Sequence, residues 1–191
     1  TEIVFILDRS GSMAGLESDT IGGFNALIEK QKRQGSAARI SLILFDDQTD
    51  IVLDRVPIMQ VGALSEDEYY VRGCTALLDA VGKSITHFSW LHQSMRKVNR
   101  PEKTLFIITT DGMENSSQEY SLSQVRNLIE KQKERYHWEF LFLGANIDAV
   151  KTADSMGIRA NRSANFHADE KGLMKKFKAI DSVISKIQSV E

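Results

Sequence analysis

Short oxygen-bearing side chains follow an apolar segment near the start of this sequence. Asp8, Ser10 and Ser12 come directly after the run Ile3–Leu7, with Gly11 between the two serines. Mg²⁺ prefers oxygen ligands in octahedral geometry and gives up its waters reluctantly. The serines would supply neutral oxygens, and Asp8 would supply negative charge directly or through ordered waters. The segment therefore indicates a candidate cation site, although a turn with helix-capping serines would have the same composition.

Two further segments offer oxygen ligands at similar positions. Asp111 and Gly112 follow the apolar run that starts at Leu105, and Thr75 precedes a helical pattern that starts at Leu77. In open α/β sheets the ligand site lies beyond the carboxyl ends of the strands. Each segment alone is a weak signal, but the three together predict one site for Mg²⁺, with Mn²⁺ and Ca²⁺ as alternatives. The predicted ligands are Asp8, Ser10, Ser12, Thr75 and Asp111.

The elements that would position these residues alternate along the chain. Continuous apolar runs of strand length are typical of a parallel sheet buried on both faces. Ile51–Val56 is more mixed and follows the polar stretch Asp46–Asp50, which predicts a hairpin and an antiparallel edge strand. A last strand is predicted near Arg162–Phe166. The continuous runs are Ile3–Leu7, Ile40–Phe45, Leu105–Thr109 and Phe140–Leu143.

Helical apolar spacing separates the strands. Ser121 and Gln124 are placed to form a capping box, and a further helix is predicted over Ala145–Met156, ended by Gly157. Strands alternating with helices predict an α/β fold: a doubly wound, mostly parallel sheet with one antiparallel edge strand and helices on both faces. We expect one domain over residues 1–191. The other helical patterns are Ile21–Ile28, Leu77–Phe88, Leu122–Ile129 and Leu173–Ile187.

Composition argues against several classes of partner. The net charge is −2, from 24 basic and 26 acidic residues, which gives no electrostatic reason to expect nucleic acid or an anionic membrane. No apolar run is long enough to span a bilayer. Cys74 is the single cysteine, so nothing signals an oxidising compartment. No signal peptide is visible, and we expect a cytoplasmic location.

No arrangement of a nucleophile and a general base accompanies the candidate site, and zinc-binding or phosphate-cradling motifs are absent. A binding module is therefore the leading hypothesis. The alternative is a metal-assisted phosphohydrolase of the haloacid dehalogenase type, which also places an aspartate after the first strand. That class uses a second acidic residue two positions later, where this chain has Ser10.

The motifs resemble the von Willebrand factor type A domain family over essentially the whole chain. Asp8-Arg9-Ser10-Gly11-Ser12, Thr75 and Asp111 carry the resemblance, and residues 138–146 are similar to the stand-alone bacterial members. Cys74 departs from the pattern, since many relatives have a second glycine there.

The resemblance implies a metal-ion-dependent adhesion site, in which the cation bridges to an Asp or Glu carboxylate of a protein partner. It also implies a sheet whose central strand is the first. Some bacterial relatives work beside an AAA+ ATPase in metal insertion or protein remodelling, so such an ATPase is a candidate partner.

Several residues lie beside the predicted ligands in the sequence. Arg9 and Met13 are expected to be exposed and are candidates for partner contact, as is Arg72. Asp46 and Asp47 are interpreted as hairpin-turn residues rather than as a source of negative potential that helps to hold the cation.

Three further residues leave alternatives open. A helix-dipole role suffices for Asp79, with an indirect link to the site as the alternative. Glu114 and Asn115 either shape the partner surface or are loop residues.

Overall fold

A six-stranded sheet runs through the computed structural model, which describes residues 1–189. The strand order is β3-β2-β1-β4-β5-β6. Neighbouring strands are parallel except for β3, which pairs antiparallel with β2 at the edge. The first strand therefore lies inside the sheet, between β2 and β4. The strands are β1 (Glu2–Asp8), β2 (Arg39–Phe45), β3 (Thr49–Pro57), β4 (Thr104–Thr110), β5 (Glu139–Gly144) and β6 (Ser163–Asn165).

Helices cover both faces of the sheet and bury two hydrophobic clusters. One cluster joins the sheet to α1 and α5, and the other joins it to α2, α3 and α4. Strand β1 contributes Phe5 to the first cluster and Ile6 to the second, because successive side chains of a strand point to opposite faces. The helices are α1 (Glu17–Arg33), α2 (Leu77–Ser94), α3 (Leu122–Tyr136), α4 (Ala149–Ser155) and α5 (Glu170–Ser189).

These features confirm the predicted α/β fold and its antiparallel edge strand. The capping box is also confirmed: the Ser121 hydroxyl accepts from the backbone N–H of Gln124, and the Gln124 side chain accepts from the backbone N–H of Ser121. Within residues 1–189 no helix has both the length and the apolar character to cross a membrane.

The start predicted for the fourth helix was wrong. That helix begins at Ala149, not Ala145, and the Asp148 side chain caps it by accepting from the backbone N–H of Lys151. Ala145 instead donates its N–H to the Thr110 carbonyl at 3.0 Å, and Asn146 has a left-handed φ of 56°. Apolar residues continue at helical spacing through this turn, so their spacing alone does not show that the helix begins at Ala149.

Candidate functional site

The five predicted ligands lie together beyond the carboxyl ends of β1 and β4. The Thr75 hydroxyl donates to Ser10 Oγ at 3.0 Å, and Ser10 Oγ lies 3.2 Å from Ser12 Oγ. Ser12 Oγ donates to Asp111 Oδ1 at 2.5 Å. Asp8 joins the group through the backbone N–H of Ser10, which donates to Asp8 Oδ1 at 2.7 Å. Three separate loops thus deliver one cluster of oxygen atoms.

Both carboxylate oxygens of Asp8 already have partners. Oδ1 accepts from Ser10, and Oδ2 accepts from the Thr110 hydroxyl at 2.6 Å. Burial raises the pKa of Asp8, although these hydrogen bonds to the ionised form oppose the shift. Asp8 is therefore placed to hold the loop and to contribute negative charge.

One carboxylate oxygen of Asp111 is not engaged in a hydrogen bond among residues 1–189. This atom, Oδ2, is buried. Burial raises the pKa of this carboxyl, while the hydrogen bond from Ser12 opposes the shift. A buried carboxylate oxygen without a partner is costly, which indicates that an additional group satisfies it.

The oxygen cluster suits a hard divalent cation. A Cβ at Gly112 would lie 2.9 Å from Thr75 Oγ1 and 3.1 Å from Ser12 Oγ, so glycine keeps that approach open. Hydroxyl and carboxylate oxygens are the ligands that Mg²⁺ accepts, with waters completing its shell. No cluster of three His, Cys, Asp or Glu side chains in the described chain could hold a metal. Any cation here would therefore depend on the hydroxyls as well as the carboxylates.

Backbone contacts fix the three loops relative to one another. Gly11 donates its N–H to the Gly73 carbonyl at 3.1 Å, and Gly73 has φ of 68°. Thr75 and Asn115 exchange two hydrogen bonds, one between their backbones and one to the Asn115 side chain. Tyr69, which sequence reasoning missed, is buried and donates its hydroxyl to the Asp8 carbonyl at 2.6 Å.

An ion-pair cluster around the buried Asp46 supports the same loops. Asp46 Oδ2 accepts from Arg9 Nε at 3.0 Å and from Arg72 Nε at 2.6 Å, and both arginines also pair with Asp50. Both guanidinium groups pack over the Tyr70 ring. Burial raises the pKa of Asp46, but hydrogen bonds from Arg72 and the Gln48 N–H, with the charges of both arginines, bring it below its usual range.

The exposure expected for Arg9 and Met13 was wrong, since both are buried. Arg9 is held by Asp46, which is distant in sequence, and Met13 closes a short 3₁₀ turn. The turn interpretation of Asp46 was incomplete, because this residue accepts from the Gln48 N–H and also neutralises two arginines. Cys74 is exposed beside the site.

The loop after Asp111 is tied to the start of α2. Glu114 accepts from the Leu78 N–H at 2.9 Å, and Asp79 accepts from three consecutive N–H groups at residues 118–120. Asp79 thus holds a loop in addition to lying in the first helical turn. Glu114 caps the same helix, so both acids stabilise the wall of the site.

No family model matches this sequence, and no curated protein matches it. Solved structures do match. A von Willebrand factor type A structure from Catenulispora acidiphila has a TM-score of 0.60 at 15% identity, covering 95% of this chain and 42% of that one. The vWF domain of the type V pili tip protein Mfa5 from Porphyromonas gingivalis has a TM-score of 0.66 at 10% identity, covering 96% and 94%.

A third match is proximal thread matrix protein 1 from the mussel byssus, in a form with a zinc-occupied MIDAS motif. Its TM-score is 0.65 at 10% identity, covering 95% of this chain and 47% of that one. The chain spans 45% to 61% of the length of other matched minor-pilin and mussel-byssus structures. At these identities the likeness concerns the fold, and on that basis the chain has the fold of von Willebrand factor type A domains.

Proposed function

We propose that this chain is a divalent-cation-dependent module that binds an acidic group of a protein partner. The observation that carries the proposal is Asp111 Oδ2, a buried carboxylate oxygen without a partner beside three hydroxyls. We expect Mg²⁺ there, with Mn²⁺ or Ca²⁺ as substitutes. The related zinc-occupied motif in the mussel protein supports divalent binding on this fold.

Asp111, Ser10, Ser12 and Thr75 would hold the cation, with Asp8 contributing charge from its hydrogen-bonded position. A bound cation would supply the positive charge that attracts an Asp or Glu side chain. Because only the Asp111 carboxylate would hold the cation directly, while Asp8 acts from its hydrogen-bonded position, the direct ligands leave part of that charge unneutralised. Other residues of the chain position this site. Asp46, with its paired arginines, and Asn115 fix the loops, and Gly112 leaves room for a cation to approach the hydroxyls.

The site supports binding better than catalysis. Ser10 stands where a phosphohydrolase of the dehalogenase type would need a second acidic residue, and its hydroxyl is engaged with Thr75 and Ser12. An AAA+ ATPase is a partner to examine because the resemblance to bacterial relatives implies one. The matched structures include pilus proteins and a mussel-byssus protein, which supports a protein-binding role for this chain.

A peptide array tests the proposal. Peptides containing Asp or Glu, paired with their Asn and Gln counterparts, would be probed with the chain in Mg²⁺ and in chelator. Retention of acidic peptides in Mg²⁺ alone is the expected result. Equal retention in chelator, or equal binding to the amide versions, would contradict a cation-bridged carboxylate.

A further inference from the structure

Lys176 of α5 is a buried lysine within an apolar surrounding. The residue is 3% exposed, and its Nζ atom lies 4.8 Å from the centroid of the Phe166 ring and 4.9 Å from that of Phe177. No hydrogen bond or ion pair of this ammonium occurs within residues 1–189. Fully buried lysines are rare unless paired, since desolvating the charge is costly. The burial of this charge therefore needs a compensating interaction.

Backbone contacts connect this lysine to the candidate site. Phe166 donates its N–H to the Gly144 carbonyl at 2.8 Å, and Gly144 is the β5 partner of Thr110. Thr110 directly precedes Asp111. Phe166, whose ring contacts the ammonium, therefore lies beside the carboxyl edge of the sheet, where the oxygen cluster also lies.

The charges of Lys176 and the two acidic ligands act on one another. Burial lowers the pKa of Lys176 to about 7, and the nearby carboxylates of Asp111 and Asp8 oppose that shift. The lysine in turn favours the ionised form of Asp111. Opposite charges in a poorly solvated region interact much more strongly than at the surface.

We infer that Lys176 is an internal counter-charge of the cation site, which offsets Asp8 and Asp111 and thereby weakens the affinity of the site for divalent cations. This inference rests on the proposed function. The buried ammonium repels a second positive charge, so a cation must overcome that repulsion when it binds. The aromatic rings stabilise the ammonium through cation–π contacts, which keep the charge in place without a direct ion pair.

Titration calorimetry with Mg²⁺ tests the inference, comparing the wild-type chain with Lys176→Met at about pH 6, below the pKa of Lys176. Methionine is unbranched and fills irregular apolar space, so packing against the two rings is retained. Lys175→Met is the matched control, because it removes the same charge from an exposed neighbouring position.

Removing the buried charge is expected to tighten Mg²⁺ binding by about tenfold or more, whereas Lys175→Met leaves it within about twofold of wild type. Lys176→Gln serves as a second neutral variant, and circular dichroism checks that each variant is folded. If the wild-type chain binds Mg²⁺ and the folded neutral variants bind it equally well or more weakly, the inference is overturned and the proposed function stands. Absence of binding in all chains would overturn both.

Discussion

Thr75 and Asn115 exchange two hydrogen bonds across the candidate site. The Asn115 N–H donates to the Thr75 carbonyl at 3.0 Å, and the Thr75 N–H donates to Asn115 Oδ1 at 2.9 Å. Asn115 therefore fixes the backbone of a residue whose hydroxyl belongs to the oxygen cluster. A residue outside the predicted ligand set thus determines where one of those ligands lies.

Replacing Asn115 with alanine removes the side-chain acceptor and leaves the backbone bond. We expect Mg²⁺ affinity to fall by about three- to tenfold, with a loss of about 1 kcal/mol in the free energy of unfolding, as for one hydrogen bond. Calorimetry and urea unfolding measure the two effects. Asn115→Asp keeps an acceptor oxygen at this position and serves as the control for the unfolding measurement, because its added negative charge would itself strengthen Mg²⁺ binding. Unchanged Mg²⁺ affinity in Asn115→Ala would show that Thr75 is held adequately without it.

Removing the Thr75 hydroxyl tests that ligand directly. Thr75→Ala is expected to weaken Mg²⁺ binding by about tenfold and to lower the free energy of unfolding by no more than about 1 kcal/mol, because one hydrogen bond to Ser10 is lost. Thr75→Ser retains the hydroxyl and should bind Mg²⁺ much as the wild type does. Loss of the folded state in Thr75→Ala would mean that this residue is structural.

We expect Asp46, which pairs with Arg9 and Arg72, to contribute much more to the free energy of unfolding than its exposed neighbour. Asp46→Ala leaves the buried Arg9 with only the half-exposed Asp50 as a partner. Breaking a buried ion pair on one side costs about 3–5 kcal/mol, and we expect a loss near the lower end of that range because the pair with Asp50 remains. Asp47→Ala, at the exposed neighbouring position, should change the free energy of unfolding by less than about 0.5 kcal/mol. Urea unfolding compares the two, and similar small losses would show that the arginines find other partners or water.

Glu2 provides a prediction of pH dependence at the opposite end of β1. Burial raises the pKa of this carboxyl, but the His92 hydrogen bond and the charges of His92 and Arg55 bring it below 4.5. A lowered acid pKa stabilises the fold above the unfolded pKa, and this stabilisation is lost as the pH falls through the folded pKa.

The Glu2→Gln variant lacks that titration. Its free energy of unfolding is expected to fall less steeply than that of the wild type as the pH is lowered below about 4.5. Urea unfolding at several pH values measures both slopes. If the free energies of unfolding of the wild type and the variant fall in parallel as the pH is lowered, the lowered pKa of Glu2 is contradicted.

The sequence predicted the strands, the edge hairpin and the grouping of the five oxygen-bearing residues, because these follow from local apolar runs and from the rule that sites lie at strand ends. It did not predict that Arg9 is buried, since the pairing with Asp46 joins positions 37 residues apart. Such a contact depends on the packed loops.

Lys176 was missed for a different reason. It lies at i+3 from Leu173 and i−4 from Ile180, so helical spacing already placed it on the buried stripe of α5. A charged residue on an apolar stripe is a detectable signal, but the spacing of hydrophobic residues alone does not record it. The start of α4 was obscured similarly, because apolar spacing does not record a left-handed residue such as Asn146.

Calorimetric titration of the chelator-treated chain with Mg²⁺, beside Asp111→Ala, is the decisive test of the cation site. We expect a single Mg²⁺ ion to bind to the wild-type chain and this binding to be lost in the variant, because the variant lacks the buried carboxylate oxygen that has no partner among residues 1–189. Undiminished binding in Asp111→Ala would place the cation elsewhere, and no binding to the wild type would contradict the cation site itself.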